Sequence, residues 1–308
     1  MQGLELCERY FFAAGLPLLE GRFGEILPRI TAGLAGDGSE CYGFDDAISR
    51  DHDWGPGFCL WLDPVDYERF GPALSAAYDS LPKVFEGAGP RVTSLWGANR
   101  VGVFSTPGFY AGFIGLPRAP ETLDEWLAIP ENCLAAATNG KLFLDPGLGF
   151  SLIREKLLGF YPEDVRKKKI ASRAMTVAQA GQYNFGRLAR RGDLFGARYS
   201  EIKFLSDAIS MIYLLNRRYA PFYKWMHRGL ERLPVLGKRV AGLADALLSE
   251  PDFKKKERLI AEICRLAADE LRRQGLSSAE GDFLADHGPA VAGSIEDAAL
   301  RSRNVWVG

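Results

Sequence analysis

From Phe150 onward the apolar residues of the chain recur three and four apart almost without interruption, while before Pro146 they do not. That switch in period constrains the fold more than any other feature. A 3.6-residue period buries one face of a helix, whereas short apolar runs broken by Gly and Pro belong to strands and turns. The segments Arg154–Tyr161, Val165–Gln179, Asp193–Leu215 and Lys254–Arg273 all read as amphipathic helices. In the last of these, Leu259, Ile260, Ile263, Leu266, Ala267 and Leu271 form one stripe, and Gly275 closes it. Successive helices of this kind predict a bundle over residues 151–308. The tail after Gly281 has weak periodicity and reads as partly loose.

Residues 1–150 read as an α+β domain with a mixed sheet. A short strand over Arg29–Ala35 ends at Gly36-Asp37-Gly38, and a second is expected from Asp51 to Leu62, bent at Gly55-Pro56-Gly57. Asp63 and Pro64 then have the chemistry of an N-cap and first helical residue. A third strand region is expected over Val92–Thr106, with a turn near Gly97-Ala98-Asn99.

With 38 basic against 39 acidic residues, the chain as a whole has no attraction for nucleic acid or anionic lipid. No window supplies the roughly 20 apolar residues of a membrane span. Five widely spaced cysteines and no basic or apolar leader lead to the expectation of free thiols in a reducing cytoplasm. Cys41, His52 and Cys59 match no zinc spacing. The run Arg166-Lys167-Lys168-Lys169 reads as a solvated helix face.

Residues 36–54 carry the chemistry. A strand runs into Gly38-Ser39, a loop with Gly43 follows, and Asp51-His52-Asp53 opens the next strand. On a strand, residues two apart share a face, so Asp51 and Asp53 are expected side by side as oxygen ligands for Mg2+. Gly38 permits close approach of a phosphate, and the Ser39 hydroxyl can hold its oxygens. A second cluster, Asn216 to Arg228, places Pro221 at the start of a helix, with Lys224 and Arg228 four apart on one face. They are either cations for a triphosphate or a solvated basic face. Asp45, Asp46, Arg50 and Asp145 read as loop, pairing or turn residues in the first instance.

The pattern Gly38-Ser39, Gly43, Asp51-His52-Asp53 resembles the signature of the DNA polymerase β-like nucleotidyltransferase superfamily. The two-part layout is similar to that of aminoglycoside and lincosamide adenylyltransferases. The runs Gly-Ser-Glu-Cys-Tyr-Gly-Phe-Asp-Asp (38–46), Arg-Asp-His-Asp-Trp-Gly-Pro-Gly-Phe (50–58) and Leu-Leu-Asn-Arg-Arg-Tyr-Ala-Pro-Phe-Tyr-Lys-Trp (214–225) resemble a bacterial family known only as a domain of unknown function with a nucleotidyltransferase fold. The resemblance implies Mg2+-dependent transfer of a nucleoside monophosphate from a nucleoside triphosphate, with ATP first in line. Asp51 and Asp53 would be catalytic and metal-binding, and Gly38, Ser39, Lys224 and Arg228 nucleotide-binding, with the site in a cleft between the two domains. The acceptor hydroxyl or amine is expected on a small molecule before a protein or tRNA. One departure stands out. Where many members carry a third acid, the stretch Asn99-Arg100-Val101-Gly102-Val103 has Gly102. That favours the rival expectation of a non-catalytic nucleotide-binding or interaction protein.

Overall fold

The computed structural model describes residues 2–51, 53–92 and 100–308, so His52 and the turn at 97–99 lie outside the described residues. The protein is α+β, with a small mixed sheet followed by a helical C-terminal part. The chain divides into two compact units. One comprises Met1–Pro120 and Cys133–Gly159, the other Glu121–Asn132 and Phe160–Gly308. The chain thus passes between units three times, not once near residue 150.

In the first unit, helices α1 (Gly3–Tyr10) and α2 (Leu16–Phe23) precede β1 (Thr31–Leu34) and β2 (Cys59–Leu62). Helix α3 (Pro64–Asp79), β3 (Gly102–Ser105), α4 (Thr106–Ile114), β4 (Lys141–Leu144) and α7 (Gly149–Leu158) follow; between α4 and β4 the chain forms α5 (Leu123–Ala128), which belongs to the second unit, and α6 (Glu131–Thr138), which leads back. The strand order is β3-β2-β1-β4. β1 pairs antiparallel with β2 and β4, and β2 pairs parallel with β3. The two central strands are buried throughout and the two outer ones only partly, which is why β1 and β2 read as continuous apolar runs. Alternation still sorts their side chains. Phe58, Leu60 and Leu62 pack with Tyr10, Phe11 and Leu74 on one face. On the other, Trp61 stacks on Phe150 at 3.9 Å and meets Phe109 edge-on.

Helix α3 begins as its sequence requires. The Asp63 carboxylate accepts from the N–H groups of Val65 and Asp66 at 2.9 and 3.0 Å, and Pro64 takes the first helical position.

In the second unit, α8 (Glu163–Val177) runs into a π-helical stretch (Ala178–Phe185) and α9 (Gly186–Arg190). Then come α10 (Leu194–Leu215), α11 (Tyr223–Leu230), α12 (Gly237–Ser249), α13 (Phe253–Arg273), α14 (Leu284–Gly293) and α15 (Ala298–Ser302). Helix α8 is the hub, with α5, α10, α14 and α15 all packed on it. The tail expected to be loose is therefore helical. Leu284, Val291, Ile295 and Leu300 are each buried, and their spacing suits two short helices instead of one long periodic run. No described helix is long and apolar enough to cross a membrane.

The basic run on α8 is not solvated. Arg166, Lys168 and Lys169 are 2%, 0% and 4% exposed. Arg166 donates to Leu214 O and Gln274, and Lys168 donates to the carbonyls of Arg303 and Asn304. The hub helix is covered on several sides, so its polar residues are buried and are held by carbonyls.

Gly140, just before β4, has φ +68°, and a Cβ there would lie 1.8 Å from the carbonyl oxygen of Leu34. Both the conformation and the space exclude a side chain. We expect Gly140→Ala to destabilise the protein by about 1–3 kcal/mol or more, read by urea denaturation.

Candidate functional site

The strand pairing decides which loops meet. β1 ends beside the first residue of β2 (Gly33 opposite Cys59), β2 begins beside β3 (Cys59 opposite Gly102), and Leu34 faces Lys141 at the start of β4. One end of the sheet therefore gathers the exit of β1 and the entries of the other three strands. Gly38, Ser39 and Asp53 all lie on the segments that leave or enter there.

Asn139 clamps the first turn out of β1. Its side chain accepts from Gly36 N–H at 2.9 Å and donates to Gly36 O at 2.7 Å. Ser39 then opens a 3-10 turn through Tyr42 and is half-buried, and its hydroxyl makes no hydrogen bond among the described residues. Gly38 is buried, and a Cβ there would meet the Glu40 carboxylate at 2.5 Å. The missing side chain at Gly38 thus admits Glu40. In this arrangement a carboxylate, not a phosphate, lies against the glycine.

Glu40 is held by Arg91. That guanidinium donates to Glu40 Oε1 at 2.9 Å, to Asp53 O at 2.6 Å and to Gly55 O at 3.0 Å, and both side chains are buried. A buried carboxylate is tolerable when paired and hydrogen-bonded in this way.

The expected strand face for Asp51 and Asp53 is not formed. β2 begins only at Cys59. Gly55 at φ +142° and Pro56 interrupt any ladder upstream, and the backbone here bonds elsewhere: Asp53 N–H donates to Val92 O at 2.8 Å. Asp51 is exposed and helical in backbone, at the end of a 3-10 turn. Asp53 has φ +52°, is 3% exposed, and lies with Oδ2 3.7 Å from the Arg100 guanidinium. The two carboxylates therefore sit in different environments, one in solvent and one buried beside a cation. As placed, they do not fit a shared Mg2+, which needs oxygen ligands open to the ion and its waters. Among the described residues no three His, Cys, Asp or Glu side chains cluster to hold a metal. Gly102 has φ +124°, a conformation that disfavours any side chain, so the backbone itself argues against an acid there.

Two arginines of this site, Arg91 and Arg100, were not singled out in the sequence. Arg91 follows a Gly/Pro-rich stretch with no periodicity, and only the fold brings it to Glu40. Arg100 was visible as part of the stretch around Gly102, but nothing in its spacing marked it.

The minor candidates have structural partners. Asp45 accepts from Gly3 N–H at 2.7 Å and Trp54 Nε1 at 3.1 Å. Asp46 caps the Ile48–Arg50 turn, Arg50 stacks 4.7 Å over Trp54, and Asp145 accepts from Gly147 N–H and the Ser151 hydroxyl. All five cysteines are free, and burial pushes the thiols of Cys7 and Cys59 up to about 11 and about 12.

Lys224 and Arg228 belong to the second unit. Helix α11 begins at Tyr223, so Pro221 precedes it by two residues instead of occupying its first position. Both cations are exposed and one turn apart, and the Lys224 ammonium lies 5.0 Å over the Trp225 ring.

A family described as a domain of unknown function (DUF4037) matches residues 126–226. That segment contains the 214–225 run and not the Gly-Ser and Asp-x-Asp residues. No curated protein matches the chain. Among solved structures, a nucleotidyltransferase-like protein from Exiguobacterium sibiricum is similar over 84% of this chain and 76% of its own, at 12% identity and a TM-score of 0.37.

Breaking the Arg91–Glu40 pair should be costly whichever partner is removed. Glu40→Gln and Arg91→Met are each expected to lose about 3–5 kcal/mol in urea denaturation, with the double variant less destabilised than their sum. Thiol titration with Ellman's reagent at pH 8 should find at most the half-buried Cys133 reacting promptly in the native protein, and all five after unfolding.

Proposed function

We propose that the first unit binds a nucleoside triphosphate, ATP foremost, and transfers its nucleoside monophosphate to an acceptor hydroxyl or amine. The observation that carries this reading is the gathering of Gly38-Ser39 and Asp53 at one end of the sheet, with the Ser39 hydroxyl making no hydrogen bond among the described residues and the Arg100 guanidinium beside Asp53. A half-exposed hydroxyl and a cation are the groups that hold phosphate oxygens. Arg100, 31% exposed and 3.7 Å from its carboxylate, can turn to a phosphate without breaking a short hydrogen bond. Lys224 and Arg228 are proposed as further phosphate contacts. Catalysis here would rest on positioning and charge neutralisation.

Magnesium is the ion this chemistry employs, and Asp51 and Asp53 are the ligands the sequence offers. Because they do not fit it as placed, no step is assigned to the ion. A small-molecule acceptor accords with the near-neutral chain better than RNA does.

Gly102 at φ +124° and the Asp53–Arg100 pair favour a second reading, a protein that binds nucleotide without turnover. Titration calorimetry with ATP, with and without Mg2+, and pyrophosphate release from all four ribonucleoside triphosphates separate the two. Transfer predicts binding and pyrophosphate release, with Arg100→Gln and Ser39→Ala each weakening ATP binding by about tenfold. Lys224→Ala should weaken it as well, with Tm unchanged. Binding with no pyrophosphate leaves the second reading standing, and no binding at all sinks both.

A further inference from the structure

The second unit contains a cavity of about 470 Å3, lined by the stretch 127–132 and by residues of α8, α10 and the turn into α11. At its wall, Arg173 and Glu131 satisfy one another. Arg173 donates to Glu131 Oε1 at 3.2 Å and through Nε to Ser210 Oγ at 2.9 Å, and the Ser210 hydroxyl in turn donates to the Glu131 carboxylate at 3.1 Å. Asp207 is taken by Lys203 at 2.6 Å.

Lys169 is different. It lines the same cavity and is 4% exposed. Its ammonium has three donors, yet among the described residues its only hydrogen bond is a long one, 3.4 Å to Leu127 O. The Tyr161 ring lies 5.1 Å away. The neighbouring Glu131 carboxylate is already committed to Arg173, which also donates to Gly308 O at 3.4 Å. Burial of so poorly paired a cation is expensive, and it holds the Lys169 ammonium below the ordinary lysine range. At the rim stand two exposed rings, Phe222 (44%) and Tyr223 (75%), with centroids 4.3 Å apart. Exposed aromatics beside a cavity with a few convergent polar groups are the make-up of a small-molecule site.

We infer that this cavity binds a small organic anion, a carboxylate or phosphate carried on a flat aromatic body, with Lys169 taking the charge and Phe222 and Tyr223 the ring. The inference does not depend on nucleotidyl transfer in the first unit.

The test is titration calorimetry on the full chain with benzoate, phenyl phosphate, inorganic phosphate, benzyl alcohol and benzylamine. At least one of the two aromatic anions should bind, and which is tighter tells carboxylate from phosphate. The neutral and cationic ring compounds should bind at least about tenfold more weakly, as should inorganic phosphate. Lys169→Met should reduce aromatic-anion binding about ten- to a hundredfold. Its Tm should be unchanged or raised, because it removes a buried, poorly paired cation. Phe222→Ala, at an exposed position, should weaken phenyl phosphate and leave inorganic phosphate unaffected. Equal binding of benzoate, phenyl phosphate and benzyl alcohol would overturn the inference. So would equal binding of the aromatic anions to wild type and Lys169→Met.

Discussion

The first unit is organised around the guanidinium of Arg91. One side chain reaches the Glu40 carboxylate, the carbonyls of Asp53 and Gly55, and the Cys7 sulfur. It thereby fixes the loop leaving β1, the loop entering β2 and helix α1 to one another. Few of the residues between Leu34 and Cys59 have a β-ladder to bond to, so their backbone polar groups need other partners. Arg91 supplies several donors at once in a rigid fork, which a lysine could not do. The same contact explains why Gly38 carries no side chain and why the Glu40 carboxylate can be buried there.

That arrangement bears directly on what the site can do. Two carboxylates on a strand would be a ligand pair by geometry alone. Here Gly55 and Pro56 delay the strand to Cys59, Asp51 stays in solvent, and Asp53 turns inward towards Arg100. The chain keeps the residue types of phosphoryl-transfer chemistry at one sheet end but holds them in a self-neutralised state, cation against carboxylate. An incoming triphosphate would have to compete with those internal pairs. Its charge makes such competition reasonable, because phosphate oxygens accept from guanidinium at least as well as a carboxylate does.

How much of this was legible in the sequence follows from which forces are local. The cap at Asp63-Pro64, the long helices α10 and α13 and the division into a strand-bearing and a helical part are written in spacing and capping chemistry, and they stand in the structure. The first strand was placed to within two residues at its start and one at its end. The extent of β2 was not legible, since alternation over Asp51–Leu62 cannot reveal that Gly55 takes a positive φ. The helical tail was missed for a related reason: α14 and α15 are too short to display a period, and their burial comes from docking onto α8. In the candidate site, Gly38, Ser39 and Asp53 were readable as a motif. Arg91 and Arg100 were not, because what they do depends on partners 51 and 47 residues away.

The basic run on α8 shows the limit of reading charge as exposure. Four consecutive cations cannot all face solvent on a helix, since successive side chains turn by about 100°. On a helix packed by four others, some must go inward. Arg166 goes inward onto Leu214 O at the end of α10 and the side-chain oxygen of Gln274, and Lys168 onto the carbonyls of Arg303 and Asn304. Burial there is compensated, and those cations are structural. Lys169 follows the same geometry with less compensation, facing a cavity and a single long contact to Leu127 O at 3.4 Å. The contrast between neighbours on one turn of one helix is what separates a cation that holds the fold from one that awaits a ligand.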